Sequence, residues 1–358
     1  MRVTVGLVVN PIAARDVRRL TSLARNVDLH ERVNIVARVL RGLAAAGVDD
    51  VLFMSEPSQV VERAWTSLTG ALPSAGRTPS MRPIPSPGPA VDWQGTVAAA
   101  AWLAEAQMPC VVTVGGDGTH RAVALGWPDV VFAPFPGGTN NAFAPSVDPT
   151  VVGLAAGLFA RDQLRHAAHA QLVPYLAVDV DGVPHTRALV DVAVVDEAWA
   201  GAHAFWDPAL LIEAVVTRTD PTVTGLAGVA GMVHPGGDGR RALRLRFGPS
   251  GTDVLAPLGP GHLAVLSVTG WEALAAGEDV VVEGGRVTLA FDGERETVLQ
   301  PGQRARVRLV GEGPTVIDAA ALVRQAAADG LFTPQPGYGP WHDRQPSDDE
   351  EGRRDANR

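Results

Sequence analysis

The stretch VVTVGGDGTHRA, residues 111–122, changes chemical character at its midpoint. An apolar run, typical of a strand buried on both faces, is followed at once by three glycines around one carboxylate, Asp117. A strand that ends in glycines allows another molecule to approach its main chain, because no Cβ atom stands in the way. The exposed N–H groups of such a turn, and of a helix that follows it, bind anions.

We therefore expect a phosphate-binding turn here, with Thr119 capping a helix that begins near His120. The glycines of this turn are Gly115, Gly116 and Gly118. Asp117 needs its own explanation, since a carboxylate repels a phosphate unless it holds a metal ion or accepts a proton from an attacking hydroxyl. The letters GGDG alone are weakly specific, because they recur at 236–239, where we expect a hairpin loop.

A second glycine turn closes the next predicted strand, in VVFAPFPGGTNNAFA, residues 130–144. Its small and amide residues are Gly137, Gly138, Thr139, Asn140 and Asn141. Neighbouring strand ends face one crevice, so these residues form a polyphosphate-sized site together with Asn10 and Pro11 after the first strand. A helix entry with asparagine caps is the alternative explanation of this second turn.

Composition excludes several classes of protein. The formal net charge of −9 and the pI near 5.5 argue against nucleic-acid binding. The single cysteine, Cys110, allows no intrachain disulfide and fits a cytoplasmic protein. The sequence contains no lysine, which excludes both a Walker A phosphate loop and a lysine Schiff base. No uninterrupted apolar stretch is long enough to span a bilayer.

The pattern of strands and helices divides the chain into two parts. Residues 1–163 alternate strand-like and helix-like segments, which predicts an α/β nucleotide-binding domain with a parallel sheet and helices on both faces. Within it, the Pro-, Ser- and Gly-rich residues 70–90 predict a flexible insert. Residues 164–313 show two-residue alternation and predict a mainly antiparallel β domain that binds substrate. A last helix within 314–335 returns to the first domain, and residues 336–358 form a disordered tail.

The motifs together resemble those of the ATP–NAD kinase superfamily, which includes bacterial diacylglycerol and sphingosine kinases. GGDGT resembles the hallmark of the superfamily, while NP after the first strand and GGTNNAFA resemble its lipid-kinase branch. TGLAGVAGMVHP at 224–235 resembles the substrate segment of NAD kinases, and FDGERE at 291–296 resembles a late Asp-Gly turn of both branches. Three further segments resemble most closely the NAD-kinase-like X proteins associated with acetoin catabolism: NPIAARDVRRL, residues 31–54 and AHAFWDP.

The resemblance implies Mg²⁺-assisted phosphoryl transfer from ATP or polyphosphate to the 2′-hydroxyl of NAD, which gives NADP. In this reaction Asp117 is the base or the hydroxyl-orienting group, and the glycines hold the donor phosphates. The acceptor-binding residues that it implies are Asp191, Thr224, Gly225, Asp292 and Gly293. We expect no metal site built from protein ligands alone, small-molecule nucleotides as the binding partners, and a homo-oligomer.

The sequence departs from NAD kinases at one place. Where they carry an Asn-Glu pair that binds the dinucleotide, Val190 and Asp191 stand here. A valine cannot make the hydrogen bonds of the amide, each worth about 1 kcal/mol. Two other functions therefore stay open: a lipid kinase, favoured by the GGTNN turn, and a non-catalytic dinucleotide-binding regulator linked to acetoin metabolism. Asp191 can alternatively be a solvent-facing strand residue, and Asp292 with Gly293 an ordinary hairpin turn.

Overall fold

The computed structural model describes residues 2–10, 28–69, 78–85, 92–138, 141–196, 208–237, 241–285 and 287–333. Several of the sequence predictions lie outside the described residues. They are those on Pro11, Thr139, Asn140, most of the insert at 70–90, residues 202–207 of AHAFWDP, and the tail at 336–358.

Helices occur in both parts of the chain. They are α1 (Leu29–Ala45), α2 (Val60–Thr69), α3 (Trp93–Glu105), α4 (Asp117–Gly126), α5 (Pro149–Arg161), α6 (Gln163–His166), α7 (Leu226–Val233) and α8 (Ala319–Ala328). An aspartate side chain accepts a hydrogen bond from a first-turn N–H group in α1, α3, α5 and α8, which fixes where these helices begin. None of the described helices is both long and apolar enough to cross a membrane.

Along the sequence, the strands of the first part are mostly separated by helices, whereas those of the second part mostly follow one another directly. They are β1 (Thr4–Val9), β2 (Asp50–Phe53), β3 (Ser80–Pro83), β4 (Val111–Gly115), β5 (Val131–Pro136), β6 (Ala170–Leu172), β7 (Tyr175–Val180), β8 (Val183–Ala188), β9 (Asp191–Val195), β10 (Leu211–Val216), β11 (Ala242–Gly259), β12 (His262–Leu274), β13 (Asp279–Glu283), β14 (Val287–Phe291), β15 (Glu294–Leu299), β16 (Arg304–Val310) and β17 (Thr315–Ile317).

The first sheet has the strand order β3-β2-β1-β4-β5-β17-β6. Neighbours from β3 to β17 run parallel, whereas β6 runs antiparallel to β17. The order reverses between β1 and β4, which is the topological switch point where open parallel sheets bind their ligands. The carboxyl ends of β1, β4 and β5 thus lie side by side at one edge.

Helices cover both faces of this sheet, as predicted. Leu7 and Val9 of β1 are buried in one cluster with residues of α1 and α5, such as Leu40. Val8, which points the other way, is buried in a second cluster with Leu103 of α3. Both faces are apolar because both are covered, so the strands appear in the sequence as continuous apolar runs.

Two antiparallel sheets form the second part, which confirms the predicted β-rich half. Their strand orders are β12-β11-β10-β9-β14-β15 and β13-β16-β7-β8. Leu176 of β7, Val192 of β9 and Val307 of β16 are buried in one cluster, so the two sheets pack face to face.

The end of the described chain returns to the first sheet, as predicted. Strand β17 pairs parallel with β5, and Leu322 and Ala326 of α8 are buried in the cluster that contains Leu43 and Phe159. Strand β6, which follows residue 163, also lies in this sheet beside β17.

The second GGDG is not a hairpin loop, so that expectation is wrong. Helix α7 ends at Val233, and β11 begins at Ala242, so the segment joins a helix to a strand. The glycine-rich sequence before it was not recognised as helical. Gly231 packs close to the backbone around Pro221, and Gly228 close to the carbonyl of Val223, which only a residue without a Cβ atom allows.

Glycines set the close approach of α1 and α5. A Cβ atom at Gly42 would meet the carbonyl oxygen of Thr150, and one at Gly153 would meet the carbonyl oxygen of Val39. Both contacts are with backbone, which cannot rotate away as a side chain can. Helix α5 therefore packs against α1 with almost no space between their main chains.

We expect Gly153→Ala to push α5 away from α1 and to lower the free energy of unfolding by about 1–3 kcal/mol, as overpacking does. Urea denaturation followed by circular dichroism measures this loss. Gly270→Ala is the matched control, because nothing lies within 4 Å of a Cβ atom there. Equal stability of Gly153→Ala and wild type would contradict the close helix packing.

Candidate active site

The two glycine turns meet at the carboxyl edge of the first sheet. The N–H group of Gly137 donates to the carbonyl of Gly115 at 2.8 Å. A Cβ atom at Gly138 would lie 2.5 Å from the Cα atom of Gly116, so the turns touch through their main chains. Asn141 closes the second turn itself, since its amide exchanges two hydrogen bonds of 2.9 Å with the backbone of Gly138. Gly116, Gly118, Gly137 and Gly138 are half-buried at the surface of this edge.

The glycines serve packing as well as access. A Cβ atom at Gly115 would lie 2.5 Å from the side chain of Thr119, and one at Gly137 would lie 3.0 Å from the nitrogen of Gly115. At Gly118 the space is taken by the carboxylate of Glu294, at 2.8 Å. Only this last neighbour is a flexible side chain, so Gly118 is the glycine whose face a ligand can reach if Glu294 moves.

Helix α4 begins three residues earlier than expected, so the prediction that Thr119 caps it is wrong. Gly116 is the N-cap in an extended conformation, with no side chain to accept a hydrogen bond, and Asp117 is the first helical residue. Thr119 lies inside the first turn, where its hydroxyl accepts a 3.0 Å hydrogen bond from the side-chain amide of Asn10. The helix therefore presents an N-terminus without a side-chain cap, which carries partial positive charge.

The carboxylate of Asp117 joins this helix to the segment after the second turn. Its two oxygens accept hydrogen bonds from the N–H groups of Ala142 at 2.9 Å and Phe143 at 3.0 Å, and only 6% of the residue is exposed. Burial raises the pKa of Asp117 to about 6, and nearby Asp292 adds to the rise, whereas the two amides and Arg218 oppose it.

Asp292 and Gly293 form the tight turn between β14 and β15. Their φ angles of 50° and 82° are both positive, which is the geometry of a two-residue hairpin. The hairpin alternative is therefore right, yet the side chain has a further task. The buried carboxylate of Asp292 accepts hydrogen bonds from three consecutive N–H groups, at 3.0, 2.7 and 3.1 Å, those of Leu189, Val190 and Asp191.

Position 190 is apolar in its surroundings as well as in its side chain. Val190 is 1% exposed and lies in one cluster with Ala142 and Phe143. Asp191 is 6% exposed, so the solvent-facing alternative for it is wrong. Its main chain is fixed to Asp292 in both directions, because the N–H group of Asp292 donates to the carbonyl of Asp191 at 3.0 Å.

Thr224 and Gly225 stand at the start of α7. Gly225 is the N-cap of this helix with φ of 87°, and its N–H group donates to the carbonyl of Pro257 at 2.9 Å. The positive φ explains why glycine stands at position 225.

Three charged residues of the site were missing from the sequence prediction: Arg121, Arg218 and Glu294. Arg121 is 5% exposed, and its guanidinium lies 3.8 Å from Asp292 and 3.9 Å from Glu294. Its position four residues after Asp117 in a predicted helix was a signal that could have found it. Arg218 and Glu294 are brought in by tertiary contacts that no local pattern announces.

His120 is a core residue. Its ring is fully buried between Phe132 and Phe143, with centroid distances of 5.9 and 5.2 Å. Burial lowers the pKa of His120 to about 4, so the ring is neutral at pH 7. Among the described residues, no group of three or more His, Cys, Asp or Glu side chains could hold a metal ion.

Two family models match consecutive parts of the chain. Residues 61–172 match the diacylglycerol kinase catalytic domain, and residues 174–312 match the C-terminal domain of acetoin catabolism protein X. A solved structure of yeast NADH kinase complexed with NADH is 14% identical, covers 94% of this chain and 90% of its own, and gives a TM-score of 0.45. The match to a kinase catalytic domain supports a kinase-type phosphotransferase.

A full-length relative identifies the family. Acetoin catabolism protein X of Cupriavidus necator is 34% identical over 352 residues, which cover 93% of this chain and 95% of the relative. The chain belongs to the acetoin catabolism protein X family.

The Asp292 carboxylate is expected to stabilise the site strongly. Asp292→Ala leaves three buried N–H donors without this acceptor, and each unsatisfied donor costs about 1–3 kcal/mol. We expect the free energy of unfolding, measured by urea denaturation, to fall by more than about 3 kcal/mol. Asp279→Ala, which breaks a surface pair with Arg308, should cost less than about 1 kcal/mol. Similar losses in the two variants would contradict the role of Asp292.

Proposed function

We propose that the chain transfers a phosphoryl group from ATP, as its Mg²⁺ complex, to the 2′-hydroxyl of NAD. The observation that carries this proposal is the Asp117 carboxylate at the uncapped N-terminus of α4, where two glycine turns meet. The match of residues 61–172 to a kinase catalytic domain supports the same type of reaction.

The donor phosphates bind at the first turn of α4. The leading N–H groups of a helix have no partner within it, and here no side chain caps them. Gly116 and Gly118 are half-buried, and the main chain at Gly118 becomes accessible when the Glu294 side chain moves away. The Mg²⁺ ion arrives with the nucleotide, since this ion is typically held by substrate phosphates and only one or two carboxylates.

In the transfer step, the acceptor oxygen attacks the γ-phosphorus while the bond to the β-phosphate oxygen breaks, and ADP leaves. The hydroxyl proton passes to a carboxylate. We assign this role to Asp117, whose raised pKa makes it a stronger base than an ordinary aspartate. Glu294 is the other carboxylate at Gly118, and its side chain is 47% exposed.

The acceptor is the less constrained part of the proposal. NAD is supported by the resemblance of the motifs to NAD kinases, but Val190 removes the amide that binds the dinucleotide there. The match to the diacylglycerol kinase catalytic domain favours a second candidate, a lipid kinase. A third is a regulator, linked to acetoin metabolism, that binds a dinucleotide without turnover. We also propose that the chain forms a homo-oligomer, which light scattering of the purified chain tests.

One experiment separates these functions. The purified chain is incubated with Mg²⁺ and ATP or polyphosphate, and with NAD, NADH, diacylglycerol or a sphingoid base, and the products are identified by mass spectrometry. NADP is the expected product. A phosphorylated lipid would replace NAD as the acceptor, and saturable NAD binding without turnover would favour the regulator.

We expect Asp117→Asn to lower turnover by about 10²–10⁴-fold, the usual contribution of a general base. Glu294→Gln should lower it by less than about tenfold, and Glu283→Gln, a surface control with a 70% exposed side chain, should not change it. Circular dichroism checks that each variant is folded. A larger loss in Glu294→Gln than in Asp117→Asn would move the base to Glu294.

The pH dependence of turnover follows from the same assignment. Only the ionised Asp117 accepts a proton, and its pKa is raised to about 6. We therefore expect kcat to rise with pH through about 6 and to level off above it, in wild type and in Glu294→Gln alike. A profile that is flat between pH 5 and 7 would be inconsistent with Asp117 as the base.

A further inference from the structure

Arg218 links the second part of the chain to the Asp117 site. It is the second residue after β10, next to Thr217, whose N–H group and hydroxyl donate to the carbonyls of Val190 and Leu189, both at 2.8 Å. The base of the Arg218 side chain is thereby fixed to the start of β9. The position of Arg218 therefore depends on the position of the antiparallel sheet that contains β9 and β10.

The guanidinium of Arg218 reaches across to the segment after the second glycine turn. Its Nη1 donates to the carbonyl of Ala142 at 2.9 Å and to the carbonyl of Phe143 at 3.2 Å. Its central carbon lies 5.2 Å from the centroid of the Phe143 ring, which is a cation–π contact. Two hydrogen bonds and one cation–π contact therefore join this segment to the antiparallel sheet that contains β10.

The same segment holds Asp117 from its opposite side. The peptide group between Ala142 and Phe143 receives Arg218 at its oxygen and donates to Asp117 through its N–H. Hydrogen bonds in such a chain polarise and strengthen one another. The peptide group thus connects the Arg218 guanidinium to the Asp117 carboxylate.

We propose that Arg218 is a positioning residue: its hydrogen bonds orient the Asp117 carboxylate through the main chain of Ala142 and Phe143, and its positive charge acts on the same carboxylate. The catalytic consequence rests on the proposed function, whereas the structural link does not. Asp117 follows β4 of the first sheet. Arg218, which binds the segment that in turn binds Asp117, follows β10 of an antiparallel sheet.

The charges around Asp117 fix the direction of the effect. Arg218 and the two amides favour its ionised form, while burial and Asp292 favour the protonated form. Arg121 lies against Asp292 and Glu294, and the His120 ring is neutral. Loss of the Arg218 charge is therefore expected to raise the pKa of Asp117, because Arg218 supplies the positive charge that favours its ionised form.

The test measures the pKa of Asp117 directly, by NMR titration of the full chain labelled with ¹³C at aspartate carboxyls. Asp117→Asn identifies the signal. In Arg218→Met we expect the pKa to rise by about one pH unit above the wild-type value. Arg218→Lys should largely restore it, because both hydrogen bonds come from one nitrogen, which an ammonium group can replace.

Two controls keep the result interpretable. Arg244→Met removes an arginine from the same antiparallel sheet, where it pairs with Glu213 and Glu272, and should leave the Asp117 pKa unchanged. Arg218→Gln, which keeps an amide donor without charge, should raise the pKa as methionine does, and replaces that variant where it does not fold. An Asp117 pKa unchanged in the folded neutral variants would overturn the proposal.

Turnover gives the second readout. If the chain phosphorylates an acceptor, the acid limb of the kcat profile should move upward in Arg218→Met by the same interval as the NMR pKa, with KM for ATP little changed. An NMR shift in a chain without turnover would support the positioning link and reject the proposed kinase. A limb that stays in place while kcat falls would overturn Arg218 as a positioning residue.

Discussion

The hydrogen bonds between the Asp117 carboxylate and the N–H groups of Ala142 and Phe143 are the contact on which the site depends. They join the helix that follows β4 to the segment that follows β5, so that two separate glycine turns become one surface. The described main-chain contacts between the glycines of the two turns involve no glycine side chain that could fix their orientation. The buried carboxylate thus has a structural role at the point where the two turns meet.

A second buried aspartate uses the same kind of hydrogen bonds within the second part of the chain, and an arginine of the first part lies beside it. Asp292, in the turn of a hairpin, accepts three N–H groups at the start of β9, and Arg121 from α4 lies beside it. Buried carboxylates are costly unless they are hydrogen-bonded and near positive charge. Arg121 and Arg218 supply that charge from opposite parts of the chain, which ties the electrostatics of the site to the packing of the two parts.

The sequence was most informative where structure is local. Apolar runs predicted the buried parallel strands, and two-residue alternation predicted the antiparallel half, because both patterns follow from which faces are covered. Gly225 to Val233 was not predicted as a helix, since glycines close to a neighbouring backbone look like loop signals. The contacts of Arg218 with Ala142 and of Glu294 with Gly118 join distant segments, so no periodicity could reveal them.

The burial of Asp117 sets a narrow range for its chemistry. Burial raises the pKa of Asp117, and a protonated carboxyl accepts no proton from a hydroxyl. The two amides and Arg218 pull it back to about 6, at which about nine-tenths of the molecules are ionised at pH 7. The remaining elevation still makes the carboxylate a better base than a solvated aspartate. A carboxylate that acts as a base at neutral pH therefore needs burial, which raises its pKa, and also hydrogen-bond donors and positive charge that limit the rise. For Asp117 these come from segments that follow strands of two different sheets.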